Sequence, residues 1–440
     1  MVDYDYKSSK EAFVTGHSGT NPWELLLICT PGPLGMYLCE NLSLTKRNSV
    51  LIQFMCILLP LLICQTHYND IAITLLMIQF GFGTYFFHKH TVKEQSILQS
   101  TTRNISRRRK YVTYYRALVS YLTFIAILAV DFPLFPRRYC KTETSGYGFM
   151  DLGAGSYIMA SGLTYNQTNS GGAKIIKWKQ WIAVVAMGMI RLLTNKGLEY
   201  PEHASEYGVH WNFFFTIAIL QLIQPVLLTT TLVDKNNAAI VCFCIMILYQ
   251  YGLTKCEWQT FIETAPRTSS ISMQQDLWYA NREGIVGCLG YLTLYWISYS
   301  CFSPKNNSTT TTTTFAWTIV FWILHYICTI GLGIPTSRRS TNLSFVTWTS
   351  AHNGTMLTLI QYLTPEDGNT KVLQLLQNVN QNGFLLFIIA NLLTGIINIS
   401  INTLHTPDTI AILILILYLA TISVASHLLS RFQQIQYKHI

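Results

Sequence analysis

The sequence predicts an all-α polytopic membrane protein, a single bundle of about 13 transmembrane helices. Three observations carry this. Half of the 440 residues are hydrophobic and 12% are charged, against roughly 25% charged in a soluble domain. Apolar runs long enough to span a bilayer recur along the whole chain, and no long polar block separates them. Residues 88–110 gather Lys89, Lys93, Arg103, Arg107, Arg108, Arg109 and Lys110, as a cytosolic loop of a membrane protein does. The formal charge of +9 therefore sets topology and meets anionic lipid; it does not call for nucleic acid.

Residues 1–21 are polar with no cleavable leader apparent, so the first hydrophobic run is the expected anchor. That run is 22–40, interrupted by Pro31 and Pro33. After the basic turn at Lys46 and Arg47 come spans at 50–65 and 71–87, then the basic loop 88–110 and a fourth span at 111–130. The fifth, 150–164, contains Gly153, Gly155 and Gly162, which suit close helix packing. Lys174, Lys177 and Lys179 precede spans at 181–194, 211–228 and 238–253. A long polar connection, 255–283, leads to a ninth at 284–301. The Thr-rich stretch 304–314 reads as a mobile loop before the tenth, 315–334. Residues 343–363 are polar for a span, with His352 and Asn353; spans at 384–401 and 410–429 follow. The Asn-X-Ser/Thr sites at Asn353 and Asn398 fall inside apolar runs and say little.

An odd count with residues 88–110 in the cytosol makes the N-terminus non-cytosolic and the C-terminus cytosolic. The loops after the fourth and tenth spans are then basic on the wrong side (Arg137, Arg138 and Lys141; Arg338 and Arg339). The eleven cysteines fall mostly in apolar runs without CxxC or zinc spacing and read as small core residues, although no spacing rule excludes a disulfide.

Two loops on the non-cytosolic face carry the candidate chemistry. Residues 131–150 hold Asp131, Arg137, Arg138, Lys141 and Glu143, with Asp151 just beyond. Residues 195–210 hold Glu199, Glu202, His203, Glu206 and His210, with Tyr200, Tyr207, Trp211 and Asn212. Acids and histidines at a helix mouth are costly to desolvate unless used or paired. The bland readings are that Asp131 caps a helix or pairs with Arg137, that Arg137 and Arg138 meet lipid headgroups, and that the histidines are hydrogen-bonded at the interface. EHASEYGVH is not HExxH, so no metal is expected. Two classes remain: an enzyme acting on a phosphorylated or sugar-bearing lipid, and a transporter or flippase for a phosphorylated lipid or acyl-CoA. A transporter buries ionisable groups at mid-membrane and often shows a repeat. Here the charges gather at one face and no repeat is visible, which favours the enzyme.

At these loops the sequence resembles a family. KEAFVTGHSGT (10–20), AVDFPLFPRRYCKTETSGYGFMDLGAGS (129–156), GLEYPEHASEYGVHWNFFFT (197–216) and TNLSFVTWTSAHNGT (341–355) closely resemble the inositol acyltransferases of glycosylphosphatidylinositol (GPI) anchor synthesis, the PIG-W family, in a fungal form. The resemblance implies one integral-membrane acyltransferase domain over 1–440 in the endoplasmic reticulum, with a lumenal active face. It implies transfer of palmitoyl from palmitoyl-CoA to the inositol 2-hydroxyl of glucosaminyl-phosphatidylinositol, with no metal or prosthetic group. By resemblance the catalytic pair is Asp131 and Lys141. A secondary hydroxyl must lose its proton as it attacks a thioester, a task for Asp131; Lys141 would stabilise the oxyanion or align Asp131 and the hydroxyl. Arg137 and Arg138 are candidates for phosphate. His203, His210 and Trp211 are candidates for the glucosamine side, and Asp151, Glu202, Tyr207 and Asn212 complete the binding set. His210 is the runner-up base.

Overall fold

The computed structural model describes residues 9–10, 12–13, 15–42, 49–91, 103–164, 178–197, 207–229, 237–267, 273–304, 310–364 and 372–438. Each of the expected apolar runs is helical. In chain order the helices are α1 (Pro22–Cys29), α2 (Pro31–Glu40), α3 (Val50–Cys64), α4 (Ala72–Thr91) and α5 (Arg103–Ala129). Next come α6 (Phe149–Leu163), α7 (Trp178–Gly197), α8 (Phe213–Thr229), α9 (Ala238–Lys255) and α10 (Trp258–Thr264). The rest are α11 (Met273–Ile297), α12 (Thr311–Tyr326), α13 (Leu343–Leu363), α14 (Gln374–Ser400) and α15 (Asp408–Lys438). Among the described residues six helices are long and apolar enough to cross a membrane, or seven if the bent pair α9–α10 counts as one span. The protein is an all-helical, polytopic membrane protein.

The chain divides into two compact units, Thr20–Cys140 with Thr355–Ile440, and Met1–Gly19 with Lys141–Gly354. In the first unit, α14 runs against α5 and α15. The buried Tyr418 hydroxyl donates to Phe124 O at 3.1 Å and to Ala390 O at 3.4 Å, tying all three. Pro31 and Pro33 sit in the first turn of α2, where a missing N–H costs nothing, so the run breaks at Thr30 and resumes. Pro60 in α3 deprives Cys56 O of its usual donor; a π turn at Phe54–Leu58 absorbs the defect, and Gln79 Nε2 donates to Cys56 O at 2.9 Å. Gly35 lies so close to α3 that a Cβ would stand 2.2 Å from Cys56 O.

The start of α14 shows how a buried helix end is satisfied. Its early N–H groups, Leu373 and Leu375, reach Tyr114 Oη at 3.2 Å and Gln53 Oε1 at 2.8 Å. Tyr114 in turn donates to Glu40, which pairs with Lys110 at 2.8 Å. Lys110 is therefore not part of a solvated basic loop. It is 3% exposed and helical, and the loop expected at 88–110 is shortened because α4 runs to Thr91 and α5 starts at Arg103. Residues 92–102 lie outside the described residues.

In the second unit the expected small-residue packing is present: a Cβ on Gly162 would meet Tyr295 O at 2.4 Å, and one on Gly155 would meet Thr349 Cγ2 at 2.5 Å. The polar connection expected at 255–283 is largely helical. The chain bends by 72° from α9 into α10, and α11 already begins at Met273. The carbonyls closing α10 are taken by Arg282, which donates to Ile262 O at 2.9 Å and to Ala265 O at 2.8 Å. The Thr-rich stretch is corrected in part as well. Thr311–Thr314 are helical because Thr310 and Thr313 form a reciprocal capping box; residues 305–309 are outside the described set. Thr310→Ala is expected to cost about 1 kcal/mol, read as a lower unfolding midpoint in detergent. The polar helix α13 is tolerated because its side chains bond their own backbone: Thr347 to Leu343 O at 3.0 Å, Ser350 to Val346 O at 2.8 Å, Asn353 to Thr349 O at 2.8 Å. None of the eleven cysteines, all among the described residues, is in a disulfide, and most are buried.

Candidate active site

Asp131 and Lys141 fall in different units, since the chain passes from one to the other between Cys140 and Lys141. In the first unit, α5 ends at Ala129 and a tight turn follows, Phe132 N reaching Ala129 O at 3.0 Å. Asp131 is 5% exposed there, and its Oδ2 accepts from Asn398 Nδ2 at 2.8 Å. Asn398 is oriented in turn by Thr403, whose hydroxyl donates to Asn398 Oδ1 at 3.3 Å. The carboxylate is thus aimed by an amide at the far end of α14.

Arg137 folds back on this loop. It donates to Val130 O at 3.0 Å, Phe132 O at 2.9 Å and, from two nitrogens, Phe135 O at 3.0 and 2.7 Å. It closes the end of α5 and fixes the turn bearing Asp131. Burial pulls its guanidinium below the usual arginine range, even with Asp131 nearby. Arg138 points outward, 45% exposed, and its Nε meets Glu24 Oε1 at 2.8 Å. Partial burial works against its charge, but Glu24 outweighs this and holds the proton more firmly than usual. Tyr139 also donates to Glu24, at 2.8 Å, and receives Asn69 Nδ2 at 2.7 Å. Burial pushes the Tyr139 phenol up, which suits a donor.

In the second unit Lys141 is half-buried at the head of a loop that is held from three sides. Asp151, 1% exposed at the start of α6, accepts from both Thr142 N and Thr142 Oγ1 at 2.8 Å. Its other oxygen meets Arg338 Nη1 at 3.3 Å, and the Arg338 guanidinium lies 4.7 Å from the centre of the Tyr207 ring. The N-terminal segment straps the loop: Glu143 N donates to His17 O at 3.0 Å, and Gly19 bridges to Tyr147. Gly146 at φ +135° lies so close to Ser18 O that a Cβ would stand 2.0 Å away, a position only glycine fills.

Tyr207, His210, Trp211 and Asn212 are brought together at a break in α11. Asn281 there has non-helical angles (φ −123°, ψ 17°), its Oδ1 accepts from His210 N at 2.8 Å, and Val209 N reaches Ala280 O at 2.9 Å. Trp211 lies over Gly284, where a Cβ would come within 2.3 Å of its ring. Asn212 starts α8 by accepting from Phe214 N at 3.0 Å, and donates to Gly188 O of α7 at 2.9 Å. Glu199, Tyr200, Glu202, His203 and Glu206 lie outside the described residues.

Three features were missed by sequence reasoning. Asn398 was set aside because its run is apolar. Arg338 and Arg339 were noted only as charges on the wrong side. In the structure Arg338 is paired with Asp151, and Arg339 Nη2 is 3.2 Å from the buried Glu283. Tyr147 lies within the 129–156 motif, where nothing local marks it. Its hydroxyl lies 2.9 Å from Nε2 of the fully buried His325, whose Nδ1 is 3.2 Å from Ser344 O. A carbonyl only accepts, so Nδ1 carries the proton and Nε2 accepts from Tyr147. Tyr147→Phe is expected to cost about 1–3 kcal/mol, because a buried acceptor loses its donor; thermal unfolding in detergent reads this.

The chain matches the GWT1 family model over residues 6–429. It is 30% identical over 494 positions to GPI-anchored wall transfer protein 1 of Aspergillus oryzae, covering 96% of this chain and 97% of that one. The protein of the same name from Schizosaccharomyces pombe is 30% identical over 463 positions, with 97% and 98% covered. The one from Candida albicans is 33% identical over 363 positions, with 71% and 73% covered.

Proposed function

The chain belongs to the GWT1 family, and from that premise we propose which of its residues carry the reaction. It is an inositol acyltransferase of GPI-anchor biosynthesis, embedded in the membrane, using glucosaminyl-phosphatidylinositol and an acyl donor. The donor is palmitoyl-CoA. The site is the endoplasmic reticulum. All thirteen apolar helical runs cross the bilayer, with the N-terminus lumenal and the C-terminus cytosolic. The whole chain, 1–440, is one integral acyltransferase domain that contains both compact units.

In this mechanism Asp131 takes the proton from the inositol 2-hydroxyl as its oxygen bonds to the thioester carbon. Lys141 stabilises the oxyanion that forms. The carbon–sulfur bond then breaks, and the proton passes to the CoA thiolate. Arg138 is the phosphate-binding arginine, exchanging Glu24 for substrate; Arg137 holds the loop that aims Asp131. Asp151 keeps Lys141 in place through Thr142. Tyr207, His210, Trp211 and Asn212 serve the glycolipid side, and Glu202 and His203 extend that side.

The observation that carries the assignment is the buried Asp131 carboxylate oriented by Asn398 at the mouth of α5. A base so held is preorganised, and its position costs nothing to arrange during reaction. The test is transfer of labelled palmitoyl from palmitoyl-CoA to a glucosaminyl-phosphatidylinositol analogue by the purified protein. Transfer is expected; its absence from well-folded protein would overturn the reading.

A further inference from the structure

In the unit that contains Lys141, a cleft of about 620 Å³ opens between α7, α8 and α11, within the usual range for a small-molecule site. Trp181, Phe215, Ala218, Ile219, Trp278 and Ile285 form its walls. The helices around it are fixed. Trp181 Nε1 donates to Ala218 O at 3.0 Å, and a Cβ on Gly188 would come within 2.7 Å of the Phe215 ring, so α7 and α8 approach closely there. The polar side chains of the lining cluster just before the start of α8, where His210 N donates to Asn281 Oδ1 at 2.8 Å beside Trp211. From that end the cleft follows the first two turns of α8, roughly 9 Å of rise from Phe213 to Ile219.

We propose that this cleft seats an acyl chain of the acceptor glycolipid, with the headgroup at its His210–Trp211 end. This rests on the acyltransferase reading above. A mainly apolar wall with its polar side chains gathered in one cluster matches an amphiphile, entered headgroup last. Three observations choose the acceptor over the acyl donor. The walls continue into apolar side chains that face outward: Leu277 is 52% exposed, Trp278 40% and Ile182 58%. A lipid diffusing in the bilayer reaches such a cleft sideways. Among the described residues no lysine or arginine lines it, whereas the CoA portion of the donor carries several phosphates and calls for cations. Finally, the polar end belongs to the same short loop as Tyr207. That ring stacks on Arg338, Arg338 pairs with Asp151, and Asp151 pins Thr142 beside Lys141. The headgroup end is thus continuous with the network that holds the proposed oxyanion group.

The test compares a long-chain and a short-chain glucosaminyl-phosphatidylinositol in wild type, in Ala218→Trp, which fills the cleft, and in the milder Ala218→Leu. For a cleft that takes the acceptor's chain, the ratio of kcat/KM for long-chain over short-chain acceptor falls about tenfold in Ala218→Trp and less in Ala218→Leu, as burial of about two methylenes is lost. The KM for palmitoyl-CoA stays in place. An unchanged ratio overturns the proposal. So does a rise in the KM for palmitoyl-CoA, which gives the cleft to the donor, or an equal fall with both acceptors, which marks a general disturbance. Failure of the acyltransferase reading is seen separately, as wild type transferring to neither acceptor. In that case a long-chain acceptor with a photoreactive group in its acyl chain still tests the cleft: labelling of α7 or α8 supports it, and labelling confined to other helices removes it.

Discussion

Asp131→Asn is expected to lower acyl transfer by a hundredfold or more while the protein still folds. Asparagine has the shape of aspartate, and its side-chain oxygen can keep the 2.8 Å hydrogen bond from Asn398 Nδ2. The turn is held by Arg137 through backbone carbonyls and does not depend on the charge of Asp131. What asparagine cannot do is take the proton of a secondary hydroxyl. Lys141→Ala should lose a comparable factor in kcat, since an oxyanion stabiliser acts on the transition state. Single-turnover transfer from labelled palmitoyl-CoA measures both. Near-normal turnover in a folded Asp131→Asn protein would move the base elsewhere, and His210→Ala would be the next variant to assay.

The second large effect is expected from Asp151→Ala, and it should appear in stability as well as activity. Asp151 and Arg338 are almost fully buried and face each other. Removing the carboxylate leaves a guanidinium in an apolar interior without its counter-charge, which costs about 3–5 kcal/mol. Thr142 loses the acceptor of both its N–H and its hydroxyl, so the peptide next to Lys141 comes loose and kcat falls as well. Thermal unfolding in detergent and turnover of the surviving fraction read the two effects. Replacing both partners together, Asp151→Leu with Arg338→Met, should return much of the stability because no lone charge remains. Activity should stay low, since Thr142 is still unheld. An unchanged midpoint in Asp151→Ala would show that the pair does not organise this loop.

The helices were legible because a run of about twenty apolar residues has few other uses. Their interruptions were not. Asn281 and Asn382 break α11 and α14 from inside, through side-chain bonds to neighbouring elements that no local pattern announces; Asn382, for example, donates to Ser430 Oγ at 2.9 Å. Charge proved informative in a different way from the one expected. Arg137, Arg138, Arg338 and Arg339 are out of place for the topology expected from the sequence, and each is engaged within its own unit: Arg137 by carbonyls, Arg138 by Glu24, Arg338 by Asp151 and Arg339 by Glu283. An arginine held by carbonyls or a carboxylate inside the protein has a structural task apart from topology, so the anomaly itself was the signal. Glu24, Asp151 and Glu283 could have been sought as its counterparts. Asn398 offered no such signal. An asparagine near the end of an apolar run looks alike whether it faces lipid or orients a carboxylate, and only the packing of α14 against α5 tells the two apart.

The hydrogen bond between Asp131 and Asn398 joins residues 267 positions apart in the chain. A ribosome adding roughly 5–20 residues per second reaches the second about 13–53 s after the first. During that interval Asp131 has been made, but the amide that orients it has not. On the mechanism proposed above, catalytic competence therefore waits for α14, close to the end of synthesis. A chain that stops short of α14, through a premature stop codon or stalled synthesis, leaves the Asp131 carboxylate without its amide partner, and on that mechanism the cell is spared a half-built transferase acting on its lipids.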